Sequence, residues 1–148
     1  KNLSLKEATK STTAMRLGIE NEPEEWQVEN LRDISENVFQ KIRDYFGVPV
    51  AVSSGFRSPE LNEAIGGSTK SQHCKGFALD LDADVFGRIT NAEIFQFVKD
   101  NLEFDQMIWE FGTDEEPDWV HISYVCNENR NRILKAYKED GRTAYSIL

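Results

Sequence analysis

The sequence predicts an α+β domain in which helices pack on one side of an antiparallel sheet. Two observations lead there. The longest amphipathic helical pattern comes early. The segments that alternate like strands fall mostly after it, joined by short links rather than by crossover helices. A chain of 148 residues also has the size of one domain with its own core, so 1–148 is read as a single unit.

Each element has its own signal. Residues 1–20 are polar and irregular and read as a flexible arm carrying a short helix. "NEPEEWQVENLRDISENVFQKIRDYFG" follows, with Val28, Leu31, Ile34, Val38, Ile42 and Tyr45 at three- and four-residue steps, which predicts one buried stripe on a long helix. Pro23 and the acids around it suit the first turn, and Gly47 suits the end. Val48 to Ser53 predicts a short strand, which leads into a turn holding Gly55 and Arg57. Ser58 caps a short helix that Gly66 and Gly67 terminate. "FALDLD" alternates apolar and acidic residues, as a strand with one wet face does. Thr90 and Glu93 form a capping-box pattern that opens a helix to about Asn101. "QMIWEFG" and "WVHISYV" predict two strands around the acidic loop "TDEEPD", and a last strand near Ile133–Tyr137 closes the sheet.

The bulk chemistry excludes several classes of function. A formal charge of −9 repels phosphate backbones, and no basic stripe offsets it, so nucleic acid is not an expected partner. Most of these acids are expected to solvate helix faces. No apolar run reaches the length of a membrane span, and "KNLSLKEATKSTTAMRLG" lacks the apolar core of a signal peptide. Cys74 and Cys126 make no disulfide framework and are expected as free thiols. A monomer is expected.

The two histidines carry the most chemistry. Strand alternation puts Trp119, His121 and Ser123 on one face, and Val120, Ile122 and Tyr124 on the apolar one. The same parity turns Leu79 and Leu81 inward, and Asp80 and Asp82 outward. His73 lies in the loop entering that strand. Two imidazoles and a carboxylate suffice for a catalytic zinc site, which keeps one position for water. Gly76 allows the backbone to turn tightly between His73 and Asp80. On composition alone, the competing reading is a hydrogen-bonded histidine beside a carboxylate.

"SQHCKGFALD" fills all five fixed positions of Ser-x-His-x-x-Gly-x-Ala-x-Asp, and "WVH" supplies a later histidine. Together with "SSGFRSPELNEAIGGSTKSQH" and "DQMIWEFG", this resembles the zinc D,D-peptidases of the peptidase M15 family. Its members include D-alanyl-D-alanine carboxypeptidases and dipeptidases and phage endolysins, and hedgehog signalling domains share its fold. The similarity spans about Val48 to Tyr124. It implies a hedgehog/D,D-peptidase-like fold, Zn2+ held by His73, Asp80 and His121, and hydrolysis of peptide bonds in peptidoglycan stem peptides or cross-links. It also implies action at the cell wall, reached by export or by phage-type release from the cytoplasm.

Asp118, three residues before the last histidine, takes the family's place for the general base, and Glu110 on the neighbouring strand competes with it. Arg57 matches an arginine that faces substrate, to steady an oxyanion or bind a carboxylate. Ser71 either hydrogen-bonds substrate or caps its loop, and Gln106 is a candidate for contact near the substrate. Trp109 and Trp119 either line the cleft or pack. Asp82 and Asp84 match no ligand position and read as solvated carboxylates. A non-catalytic zinc-stabilised binding module on the same fold is the alternative function. A thiol hydrolase built on Cys74 is the other rival.

Overall fold

The apolar stripe of the long helix forms as expected, but in three pieces. The computed structural model describes residues 2–148. In it α3 (Glu25–Ile34) runs through a π-turn at Ser35–Phe39 into α4 (Gln40–Phe46). A π-turn inserts one extra residue, so every later side chain rotates backwards about the axis. Ile34, Val38 and Ile42 stay fully buried, and Phe39 joins them. Tyr45, expected on the stripe, is instead 67% exposed and stacks on Phe97 with centroids 4.2 Å apart. Phe46 takes the place against the core. Gly47 ends the helix in the left-handed conformation.

Six strands make one sheet: β1 (Ala51–Ser54), β2 (Ala78–Asp82), β3 (Gln106–Glu110), β4 (Trp119–Ser123), β5 (Arg132–Glu139) and β6 (Arg142–Ile147). Their order is β1-β2-β4-β3-β5-β6. The expected antiparallel pattern holds for four ladders, but β3 and β5 pair in parallel. The reason is positional. Both edges of β4 are occupied, by β2 and β3, so the next strand must use the free edge of β3. The loop leaving β4 emerges beside the start of β3, and a strand begun there runs alongside it. Bonds from Asn131 N–H to the Phe104 carbonyl (2.8 Å) and from Arg132 N–H to the Asp105 carbonyl (3.0 Å) fix that start.

One face of the sheet is apolar. Leu79, Leu81, Met107, Val120 and Ile122 are fully buried there against α3, α4 and the helix Asn91–Asn101, which contributes Ile94 and Val98. The expected capping box of Thr90 and Glu93 is present. Glu116, from the acidic loop, adds a second cap by accepting from the Ala92 N–H at 2.6 Å and the Asn91 N–H at 3.3 Å.

The ends of the chain hold more regular structure than their sequence announces. Residues 2–20, expected as an arm carrying a short helix, carry two, α1 (Leu5–Thr9) and α2 (Thr12–Leu17), capped by Ser4 and Ser11. Ala8 is buried, and its carbonyl accepts from the Phe56 N–H at 2.7 Å. At the other end, the single last strand is a hairpin of β5 and β6, joined through Asp140 (φ 51°) and Gly141 (φ 75°). The Asp-Gly pair is the signal that marks this hairpin in the sequence. Among the described residues, no helix is long and apolar enough to cross a membrane.

Candidate metal centre

The second face of the sheet carries the polar side chains. Register aligns Asp80 with His121 and His121 with Ile108, so both polar groups stand on neighbouring strands at the same level. His73 reaches them from the short 3-10 turn Gln72–Lys75 that precedes β2. Ser71 caps this turn by accepting from the His73 N–H at 3.3 Å. Two side chains of α3 clamp its far side: Gln27 donates to the Cys74 carbonyl (3.0 Å) and Asn30 to the Lys75 carbonyl (2.8 Å). Gly76 closes the turn at φ +76°, and a Cβ there would lie 2.5 Å from the Gln27 carbonyl oxygen. The motif glycine is needed both for its conformation and for that close approach.

His73, Asp80 and His121 bring one ligand atom each to within 4.8 Å of one another. Asp80 Oδ1 lies 3.2 Å from His73 Nε2 and 3.0 Å from His121 Nδ1. His73 Nδ1 is 2.7 Å from the Gly55 carbonyl, which can only accept, so this nitrogen carries the proton. Burial lowers the pKa of His73 against the opposing pull of Asp80, which favours the neutral ring. A neutral ring so oriented aims the Nε2 lone pair at a carboxylate oxygen. Two acceptors at that distance repel unless a cation lies between them. Burial alone would push Asp80 up, but the two imidazoles outweigh it and hold the carboxyl well below its ordinary range. The donor set therefore fits a divalent ion with nitrogen and oxygen ligands.

Arg57 is committed close by. Its guanidinium donates to Ser54 Oγ (3.0 Å), Asn62 Oδ1 (3.4 Å) and Asp80 Oδ2 (3.3 Å). The last contact leaves Oδ1 to the histidines. Asn62 is buried and holds the following loop by donating to the Ser68 carbonyl at 2.7 Å.

A family model of peptidase M15 matches residues 1–123. The chain belongs to the peptidase M15 family. No curated protein matches it. Family membership makes the chain a peptide-bond hydrolase, and the three grouped side chains are this peptidase's possible metal site.

The two candidate bases part company in the peptidase. Glu110 pairs with Trp119 in the β3–β4 ladder, faces the cleft with His121, and is buried. Burial pushes its carboxyl up to about 7, with Asp80 adding to the rise and His121 and Arg57 opposing it. Asp118 is exposed and does not line the cleft. It lies in the bend just before β4, and only its backbone is engaged. Its N–H donates to the Glu110 carbonyl and its own carbonyl accepts from Asn91.

Gln106 and Trp119 line the cleft, whereas Trp109 packs on the helix side, edge-on to Phe95 with centroids 5.1 Å apart. Asp82 does more than meet solvent, accepting from the Asp84 N–H and from Asn91. Both cysteines are free. Burial pushes the Cys74 thiol up, against a nucleophilic role.

Two groups escaped the sequence reading. The Gly55 carbonyl is a backbone atom and leaves no side-chain signal. Asp105, buried, accepts from Gln72 (2.8 Å) and from two nitrogens of Arg130 (3.0 and 2.8 Å), tying the His73 turn to the approach of β5.

Proposed function

We propose that the chain is a zinc-dependent peptidase that hydrolyses peptide bonds in peptidoglycan stem peptides or cross-links, with Glu110 as its general base. The observation that carries this reading is the convergence of His73, Asp80 and His121 on a cleft whose neighbouring strand presents a buried carboxylate, Glu110, on the same face. The residues that resemble stem-peptide peptidases supply the substrate class. The cleft encloses about 760 Å³, enough for several residues of an extended peptide.

Zinc bound by the three side chains supplies a Lewis acid that makes water nucleophilic near neutral pH and polarises the scissile carbonyl. The chain's own groups do the rest. The Gly55 carbonyl holds His73 in the tautomer that leaves Nε2 free, and Arg57 orients Asp80 through Oδ2. Glu110 takes the proton of the attacking water and returns it to the leaving amine. A cation held beside it would favour the carboxylate form that accepts this proton. Ser71 positions the ligand loop through its cap.

The test is digestion of purified stem peptides and cross-linked muropeptides, with fragment masses read before and after chelation. Zinc-restored cleavage at one peptide bond is expected. Cleavage that survives chelation and stops on thiol alkylation would instead support a cysteine hydrolase.

A further inference from the structure

The family match ends at Ser123, yet the cleft does not. Its far wall is the β5–β6 hairpin with the loop before it, which contributes Arg130, Arg132, Leu134, Thr143 and Tyr145. The charges lining the cleft reverse the balance of the molecule. The chain carries 26 acidic against 17 basic side chains, but the cleft presents Arg57, Lys70, Arg130 and Arg132 against Asp80 and Glu110 alone. Arg57 is spent on Asp80 and Arg130 on Asp105. Lys70 and Arg132 make no ion pair among the described residues.

Both line the same cleft, Arg132 from the start of β5 and Lys70 from the loop entering the His73 turn. Arg132 pairs with Gln106 at the start of the parallel β3–β5 ladder, and both stand on the face that carries Ile108 and Glu110. Lys70 belongs to the loop entering the His73 turn, and Gln72 of that turn is bonded to Asp105, which also holds Arg130. The cleft is therefore polar along β3. Glu110 lies at one end, and His121 sits beside Ile108 at the middle. Arg132 stands beside Gln106, two residues from Ile108 and about 7 Å along the strand.

We infer that Arg132 and Lys70 form a subsite for a free carboxylate, carried by the substrate within about two residues of the scissile bond. This rests on the reading of the cleft as a peptidase site. The chemistry is specific: a cationic pocket on an anionic protein draws in and orients an anion while repelling none of its neutral parts. The C-terminal hairpin, outside the family match, then sets which peptides this member accepts. In a stem peptide the carboxylate comes either from the α-carboxyl of a γ-linked D-glutamate or from the C-terminus.

Three otherwise identical stem peptides separate these sources: the free acid, the form amidated at D-glutamate, and the form amidated at the C-terminus. One of the two amides is expected to lose about tenfold in kcat/KM, mainly through KM, and the free acid to be cleaved best. Arg132→Gln and Lys70→Gln are expected to erase that preference, so that the free acid is cleaved no better than the disfavoured amide. Affinities of the same peptides for the Glu110→Gln protein, titrated by calorimetry at low and high salt, give a readout independent of turnover. Equal kcat/KM or equal affinity for all three peptides overturns the subsite. Absence of cleavage with a retained tenfold binding preference overturns the peptidase reading and leaves the subsite standing.

Discussion

Gly55 serves the site through what it lacks. A Cβ at this position would lie 2.1 Å from the Ala8 carbonyl oxygen, so only glycine lets α1 close over the turn that offers its own carbonyl to His73. Gly55→Ala should therefore cost about 1–3 kcal/mol of stability and weaken zinc affinity about tenfold or more, because the imidazole loses its fixed tautomer. Thermal unfolding with and without metal checks both effects. Glu110 and Asp118 offer a sharper contrast. Glu110→Gln should lower kcat by about 10²–10⁴-fold, whereas Asp118→Asn, which alters an exposed side chain off the cleft, should stay within about threefold. Steady-state rates on one cleavable peptide decide between them.

At the level of elements, the π-turn and the C-terminal hairpin are the places where local chemistry departs from a regular pattern. Phe39 is fully buried because the π-turn rotates it inward, and Phe39→Ala should cost about 3–5 kcal/mol in denaturant unfolding. Gly141→Val, at φ +75° in the hairpin turn, should cost about 1–2 kcal/mol and loosen the wall that carries Arg132 and Tyr145. These two elements also mark the limit of what the sequence made legible. Strand parity placed Leu79, Leu81, Val120 and Ile122 in the core, and Asp80 and His121 on the other face, because the two-residue period leaves no choice. The caps at Ser58 and Thr90 were equally plain, since their side chains bond within one turn. A π-turn has no periodicity that announces it, so the regular helical period points Tyr45 at the core. The docking of α1 depends on the Ala8 carbonyl meeting a turn 47 residues away, from Ala8 to Gly55, which no local pattern encodes. The parallel β3–β5 pairing follows from which sheet edges were left open, a property of the assembled sheet. For the two candidate bases, strand parity places Glu110 on the face of His121, whereas Asp118 lies before β4, where no two-residue period applies.

Across the whole molecule, the site stores charge that the fold must accommodate without the metal. Glu110 is raised from 4.5 to about 7, so its contribution to stability is complete below pH 4.5 and is lost as pH rises towards 7. His73, lowered from 6.5, works in the opposite sense: its contribution is present above that value and is lost as pH falls below it. Comparing metal-free parent with Glu110→Gln cancels the histidine. The parent should lose up to about 3 kcal/mol relative to the variant between pH 4.5 and 7, read from denaturant midpoints. Zinc should abolish that loss by favouring the carboxylate. The proposed activity requires one cation between His73, Asp80 and His121, with Glu110 as the group that moves the proton. The most direct measurement is zinc content alongside peptide hydrolysis for the Glu110→Gln protein. One tightly held zinc per chain with hydrolysis lost is the predicted result. One zinc per chain with hydrolysis at the parental rate would contradict it.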